Sequence, residues 1–282
     1  MQKDDLAQPF LKWAGGKRQL LPEIRKYIPE KFNTYYEPFV GAGAVLFDIQ
    51  PKKAVINDIN LDLINTYRTI LAHVDELIDD LKKHKNEKDY FYTIRDLDRQ
   101  DVFTNMSPIE KSSRLIYLNK TCYNGLFRVN SRGQFNVPFG KYKNPQIINE
   151  RVIRAVHDYL ASSEITFLCE DFESVVAQAK ANDFVYFDPP YDPVSDTSSF
   201  TGYSLGGFDR EKQVKLRDTA VHLNEKGCKV LLSNSATDFI RDIYGAKGFH
   251  IETVSATRSI NSISAKRGKI DEVLVMNYEP NG

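Results

Sequence analysis

Apolar residues recur at threes and fours from Leu61 to Leu81: Leu61, Ile64, Ile70, Val74, Leu77, Ile78 and Leu81, with acidic and basic residues between them. That spacing predicts amphipathic helix, and the helical pattern continues to about Leu118. Thr34 to Val40 reads differently, because Pro38 rules out a continuous helix and the aromatic and β-branched content favours a strand running into Gly41. Ala44 to Ile49 then reads as a helix and Lys53 to Ile56 as a second strand ending at Asn57-Asp58, a strand-helix-strand unit that opens a parallel sheet. The sheet pattern resumes at Ile165 to Leu168, at Asp183 to Phe187, and at Lys229 to Leu232, the last ending in Ser233-Asn234-Ser235. His250 to Val254 and Glu272 to Tyr278 alternate as a closing hairpin around a loop rich in Ser, Arg and Lys. The expectation is an α/β fold in which residues 1–62 and 164–282 form one sheet domain, interrupted by a mostly helical insertion at 63–163.

The chain has 282 residues, 41% of them hydrophobic and 27% charged, so a packed core is expected rather than disorder or a fibrous repeat. No apolar run is long enough to span a membrane, and Asp4 and Asp5 stand where a signal peptide would be apolar. A soluble cytoplasmic protein is expected. Cys122, Cys169 and Cys228 are odd in number and far apart, which suits reduced thiols rather than a disulfide framework or a zinc site. The five histidines never fall at the i, i+4 spacing of a helical metal pair, so no metal is expected.

The formal net charge is zero, with 38 basic and 38 acidic residues, yet the charge is segregated within the insertion. From Asp75 to Glu110 there are ten acids against six bases; from Lys111 to Arg154 there are nine bases and one acid. Tyr117, Tyr123, Phe127, Phe135, Phe139 and Tyr142 interleave with those bases, beside Asn119, Asn124, Asn130 and Asn136. Phosphate neutralisers, stacking surfaces and base-edge hydrogen-bonding groups thus share one segment, which points to nucleic acid rather than to a merely solvated basic face.

Two short motifs carry chemistry. Gly41-Ala42-Gly43 after a strand lets backbone approach a nucleotide-like ligand, but Leu46 stands where a dehydrogenase fingerprint needs a third small residue. Asp58, at the end of the second strand, can accept hydrogen bonds from both hydroxyls of a ribose, or else cap a helix. Asp188-Pro189-Pro190-Tyr191 is more specific, since two prolines fix φ and free a carbonyl that no sheet ladder uses. The Asp188 carboxylate and the Pro189 carbonyl can each hold one N–H of a planar exocyclic amine, favouring the pyramidal form whose lone pair is available for attack. Tyr191 would stack on a base that has left the duplex. The plainer alternative is an ordinary Asp-Pro-Pro turn.

Phe10 to Lys17 (FLKWAGGK), Glu37 to Gly43 (EPFVGAG), Tyr123 to Arg128 (YNGLFR), Phe135 to Gly140 (FNVPFG) and Asp188 to Tyr191 (DPPY) together resemble the Dam-type DNA adenine-N6 methyltransferases, more narrowly the DpnII/MboI-type modification methylases that act on GATC. The likeness spans almost the whole chain. It implies a Rossmann-like S-adenosylmethionine-dependent methyltransferase sheet with an inserted DNA-recognition domain, in-line methyl transfer to adenine in duplex GATC, and S-adenosylhomocysteine as product, without a metal. By the same resemblance Trp13, Lys17, Phe39, Gly41, Gly43, Asp58, Asp171, Phe172 and Asp188 meet the cofactor. Asp188, Pro189, Pro190 and Tyr191 form the catalytic set. Lys12, Tyr123, Asn124, Leu126, Arg128, Pro138 and Lys141 meet DNA, with Arg128 suited to guanine O6 and N7. Lys141 departs from the Arg of many relatives, so no forked contact is available there. The loop from Asp192 to Gly207 is expected to close over the flipped base, with Ser198, Ser199, Phe200 and Tyr203 as candidate lining residues. The resemblance also implies a companion restriction endonuclease and a bacterial cytoplasmic setting on nucleoid DNA. Competing readings are an RNA or cytosine-N4 methyltransferase, and a DNA-binding protein with a vestigial cofactor pocket.

Overall fold

The computed structural model describes residues 4, 6–13, 15–194, 208–257 and 269–279. Its strands are β1 (Tyr35–Glu37), β2 (Lys53–Asn57), β3 (Glu164–Leu168), β4 (Phe184–Phe187), β5 (Lys229–Ser235), β6 (His250–Thr257) and β7 (Lys269–Met276). The chain packs as two compact units, one comprising Met1–Gly16, Val40–Lys52 and Asp58–Cys169, the other Lys17–Phe39, Lys53–Asn57 and Glu170–Gly282.

The second unit contains β2, β1, β4, β5, β7 and β6, side by side in that order. β2, β1, β4 and β5 are mutually parallel, and β7 runs antiparallel to both β5 and β6. This is the Rossmann-like α/β class that the sequence led us to expect. Every residue of β4 is buried, and so are Val273 to Met276 of β7, because both are interior strands covered on two faces. β5 extends past Leu232, where the pattern suggested its end. Ser233, Asn234 and Ser235 remain in the ladder because they pair with Leu274, Val273 and Glu272 of β7. The strand order reverses at β1, which has β2 on one side and β4 on the other, and in such sheets ligands bind beyond the carboxyl ends of the strands at that switch point. Helices Arg210–Glu225 and Asp238–Gly245 start at Asp209 and Thr237, whose side chains accept from the backbone N–H of Lys212 and Ile240.

The first unit is mainly helical. Helices Leu61–Ala72, Val74–Leu81, Lys88–Arg95, Pro108–Thr121 and Glu150–Ala161 occupy most of the segment predicted as an insertion. Pro108–Thr121 is its central helix: a capping box between Ser107 and Glu110 starts it, and Ser112 to Asn119 are buried without a break. Between Cys122 and Asn149 the regular structure ends. Gly125, Gly133, Gly140 and the prolines interrupt it, leaving one 3-10 turn at Tyr123–Gly125 and the isolated bridges Cys122–Phe139 and Val129–Phe135. That loop is anchored by Phe135 and Val137, which pack with Phe91, Tyr117, Leu118 and Cys122. The middle of the basic half, which carries Arg128, Arg132, Lys141 and Lys143, is therefore a pinned loop, while Lys111, Arg114 and Lys120 lie on helix Pro108–Thr121 and Arg151 and Arg154 on helix Glu150–Ala161. Among the described residues no helix is long and apolar enough to cross a membrane.

Candidate active site

In the second unit the buried strand β4 delivers Asp188 to the carboxyl end of the sheet at the switch point. Its Oδ1 meets two donors, the Lys17 ammonium at 2.7 Å and the Ser233 hydroxyl at 3.0 Å. Oδ2 has no protein donor among the described residues. Burial pushes the Asp188 carboxyl above its ordinary value, opposed by the Lys17 charge and the two hydrogen bonds. Lys17 is only 5% exposed, and its ammonium lies 4.5 Å from the centre of the Tyr191 ring. The Tyr191 hydroxyl donates to Glu272 Oε2 at 2.7 Å, and burial drives this phenol well above its ordinary value, so it remains a donor. Of the two proline carbonyls, that of Pro190 accepts from Gln213 Nε2 at 2.8 Å, while that of Pro189 has no protein donor among the described residues. An amine placed here would find one open carboxylate oxygen and one open carbonyl.

Phe39, just after β1, packs its ring 5.7 Å from both Phe172 and Phe208 and 6.4 Å from Phe187. Asp171 caps the short helix Phe172–Val176 by accepting from Glu173 N–H at 3.2 Å, and its carboxylate is 3.9 Å from the Lys215 ammonium.

In the first unit Gly41 and Gly43 adopt φ of +50° and +74°. Their missing side chains are required first by the protein itself. A Cβ on Gly41 would fall 2.8 Å from Trp13 Cδ1, and one on Gly43 would fall 2.7 Å from the Tyr67 hydroxyl. Asp58 Oδ2 accepts from Gly41 N–H at 3.1 Å and Oδ1 from Asn60 N–H at 2.9 Å. Helix Leu61–Ala72 is capped by Asn60, not by Asp58. Burial raises the Asp58 carboxyl and the two backbone donors oppose it. Trp13 stacks on Phe127 with ring centres 5.0 Å apart.

Residues expected to meet DNA gather in the same unit around the pinned loop. Asn119, fully buried, accepts from Lys12 N–H at 2.9 Å and donates to the carbonyls of Lys12 and Gly125. That holds the Lys12 backbone against the loop, with its ammonium 5.4 Å from the Tyr142 ring centre. Tyr123 is exposed, as are Arg128, Pro138 and Lys141, while Leu126 is half-buried. Asn124 and Lys141 take left-handed backbone, φ of +55° in each. Arg128 donates through Nε to Asn136 Oδ1 at 2.7 Å and through Nη2 to the Asn136 carbonyl at 3.3 Å, so the guanidinium is held at one edge. Ser198, Ser199, Phe200 and Tyr203 lie outside the described residues.

Residues 13–260 match the family model described as D12 class N6 adenine-specific DNA methyltransferase. The chain belongs to that family. Its relatives include a type II methyltransferase, M1.LlaDCHI of Lactococcus lactis subsp. cremoris, 46% identical over 99% of this chain and 98% of its own length. Type II methyltransferase M.MjaIII of Methanocaldococcus jannaschii is 42% identical over 96% of this chain and 99% of its own. A DNA adenine methylase of Escherichia coli K12 is 36% identical over 96% and 95%.

In this adenine methyltransferase the sequence motifs locate Asp188 and the loop, but not the residues that hold them. Ser233, Glu272 and Gln213 belong to no site motif in the sequence, and Asn119 and Asn136, read there as base-edge groups, bind the protein itself: Asn119 the backbone of Lys12 and Gly125, Asn136 the Arg128 guanidinium. A faint signal exists for Gln213: it occupies the inward stripe that Leu216, Ala220 and Leu223 continue, where an apolar side chain is the norm.

Proposed function

We propose that this DNA adenine methyltransferase transfers a methyl group from S-adenosylmethionine to N6 of adenine in duplex GATC, releasing S-adenosylhomocysteine, and that it is the modification partner of a restriction endonuclease of the same specificity. It would act in the bacterial cytoplasm on nucleoid DNA. Residues 63–163 serve as the recognition part and residues 1–62 with 164–282 as the catalytic part. The observation that carries this reading is the asymmetry of Asp188: Oδ1 is held by Lys17 and Ser233, while neither Oδ2 nor the carbonyl of the next residue, Pro189, has a protein donor among the described residues.

The donor set fits the cofactor. In the first unit Trp13 would offer an aromatic face to a sulfonium and Asp58 an acceptor for ribose hydroxyls, beside Gly41 and Gly43; in the second, Lys17 and Asp188 would offer opposite charges for the amino-acid end, and Phe39, Asp171 and Phe172 further contacts. When bound, S-adenosylmethionine supplies an electrophilic methyl group. The chain's own part is to hold the amine: Asp188 Oδ2 and the Pro189 carbonyl each accept one N–H, which localises the nitrogen lone pair for attack. Tyr191, its hydroxyl tied to Glu272, presents a fixed ring face to the flipped adenine. Arg128 reads guanine, Leu126 and Pro138 meet thymine, Tyr123 fills the stack and Asn124 faces the orphaned thymine, while Lys12 and Lys141 complete the interface. The type II methyltransferases among the relatives support the restriction-modification role.

The test is transfer of labelled methyl from S-adenosylmethionine to two duplexes of equal composition, one with a single GATC and one with that site scrambled. Label on adenine N6 in the first alone is expected. Label in both would discard GATC specificity. Label on cytosine, on RNA alone or on neither would overturn the reading.

A further inference from the structure

Proline supplies no N–H, so the backbone at Pro189 and Pro190 can be pinned only through its carbonyls or by what grips the residues after it. Two buried amides do this within the second unit. Gln213, from helix Arg210–Glu225 and 1% exposed, donates to the Pro190 carbonyl at 2.8 Å. Asn234, from β5 and fully buried, accepts from Asp192 N–H at 3.0 Å and from Ser235 N–H at 2.8 Å. The amides also join each other, Asn234 Nδ2 donating to Gln213 Oε1 at 3.1 Å. The direction of each dipole is therefore set: reversing either amide would face donor to donor or acceptor to acceptor. Two primary amides in a core cost stability unless paired, and hydrophobic residues would fill the space more cheaply. The pair grips one side of the turn, binding the Pro190 carbonyl, while that of Pro189 has no protein donor among the described residues.

We propose that Gln213 and Asn234 are positioning residues for methyl transfer, a buried amide pair that selects which proline carbonyl faces the target amine. The inference rests on the assignment of Asp188 and Pro189 as the amine's acceptors. Without Gln213's donor the Pro190 carbonyl is no longer held, and the turn that carries the Pro189 carbonyl can shift relative to Asp188 even though the Tyr191 hydroxyl stays tied to Glu272. A misplacement near 1 Å at a reacting group costs on the order of 100-fold in rate.

The experiment measures single-turnover methylation of a GATC duplex at saturating cofactor, with dissociation constants for S-adenosylmethionine and for the duplex measured separately. The variants are Gln213→Met, which keeps volume and loses the donor, and Asn234→Asp, which keeps the acceptor for Asp192 but cannot donate to Gln213. The rate constant is expected to fall about 10- to 100-fold in both, with both dissociation constants within about twofold of the parent, the split expected of a positioning role. A rate within twofold of the parent in either variant would overturn the proposal. So would a rate loss matched by equal weakening of cofactor and DNA binding, or failure of both variants to fold, since the amides would then be holding the core. Asp188→Ala run alongside separates the two levels: if it keeps activity, the acceptor assignment itself has failed, whereas an inactive Asp188→Ala beside a fully active Gln213→Met discards the amide pair alone.

Discussion

Replacing Lys17 by Met should weaken the fold most at neutral pH and least in acid. Lys17 is 5% exposed and its ammonium is 2.7 Å from Asp188 Oδ1, so the substitution strands a carboxylate whose side chain is 18% exposed. Breaking a buried pair by removing one partner costs about 3 to 5 kcal/mol. The lower end, about 3 kcal/mol, is expected here because the Ser233 hydroxyl still donates to the same oxygen. The pH dependence follows from the direction of the Asp188 shift. Burial already raises that carboxyl and Lys17 opposes the rise, so the variant holds its proton to still higher pH. A carboxyl raised in the folded state contributes stability below its unfolded value and loses it as pH climbs through its folded value. Protonated Asp188 needs no cation, so the deficit of the variant shrinks as pH falls. Urea unfolding of parent and variant at several values between about pH 5 and 8 measures this. The acid limb of the methylation rate at saturating cofactor should move to higher pH, because a protonated carboxyl is a poorer acceptor. A deficit that does not change with pH, or an acid limb that stays in place, would refute the reasoning.

Gly41→Ala should lose about 1 to 2 kcal/mol from left-handed backbone and a further 1 to 3 kcal/mol or so from crowding Trp13, whose Cδ1 would be 2.8 Å from the new Cβ. Because Trp13 is the only tryptophan, its fluorescence should shift with the urea midpoint, and unchanged emission and stability would contradict the packing described. Arg128→Ala should cost about 1 to 3 kcal/mol at one base pair and relax specificity there, as read by methylation of singly substituted sites; a uniform loss over all sites would mean a phosphate contact. His84, held between the Tyr90 and Ser113 hydroxyls at 3.0 Å each and stacked on Tyr117, has its pKa lowered by burial from 6.5 to about 4. The unfolded chain therefore binds a proton that the folded one refuses. Stability should fall by about 3 kcal/mol as pH drops from about 6.5 to 4, and His84→Gln should flatten that dependence in urea titrations.

Much of the architecture is legible in the chain because it depends on neighbours in sequence. The runs that became β2, β4 and β5 are apolar whatever they pack against, and the threes and fours from Leu61 to Leu81 mark helix wherever it lies, although the stripe is broken at His73 by a cap between two helices. Asp188-Pro189-Pro190-Tyr191 is readable for the same reason, since proline fixes its own torsion. The end of β5 was not readable. Ser233-Asn234-Ser235 looks like a turn, and it stays in the sheet only because β7 supplies a ladder from the far end of the chain. The loop after Cys122 lies beyond the helical pattern, which ends near Leu118, and the sequence does not show what holds it: Phe135 and Val137 anchor it to residues of other helices.

What the sequence by itself determined is the set of local conformations and the chemical groups: a glycine turn, an acid before two prolines, an arginine among aromatics. Tertiary structure alone decided the state of those groups. Whether Asp188 is an ordinary carboxylate or one with a held and an open oxygen depends on Lys17 and on Ser233, residues that no periodicity links to it. Whether Gly41 is spared a side chain for a ligand or for Trp13 depends on where an indole comes to rest. Burial, charge and hydrogen bonding act over a few ångströms in space, and only folding sets which residues lie within that reach.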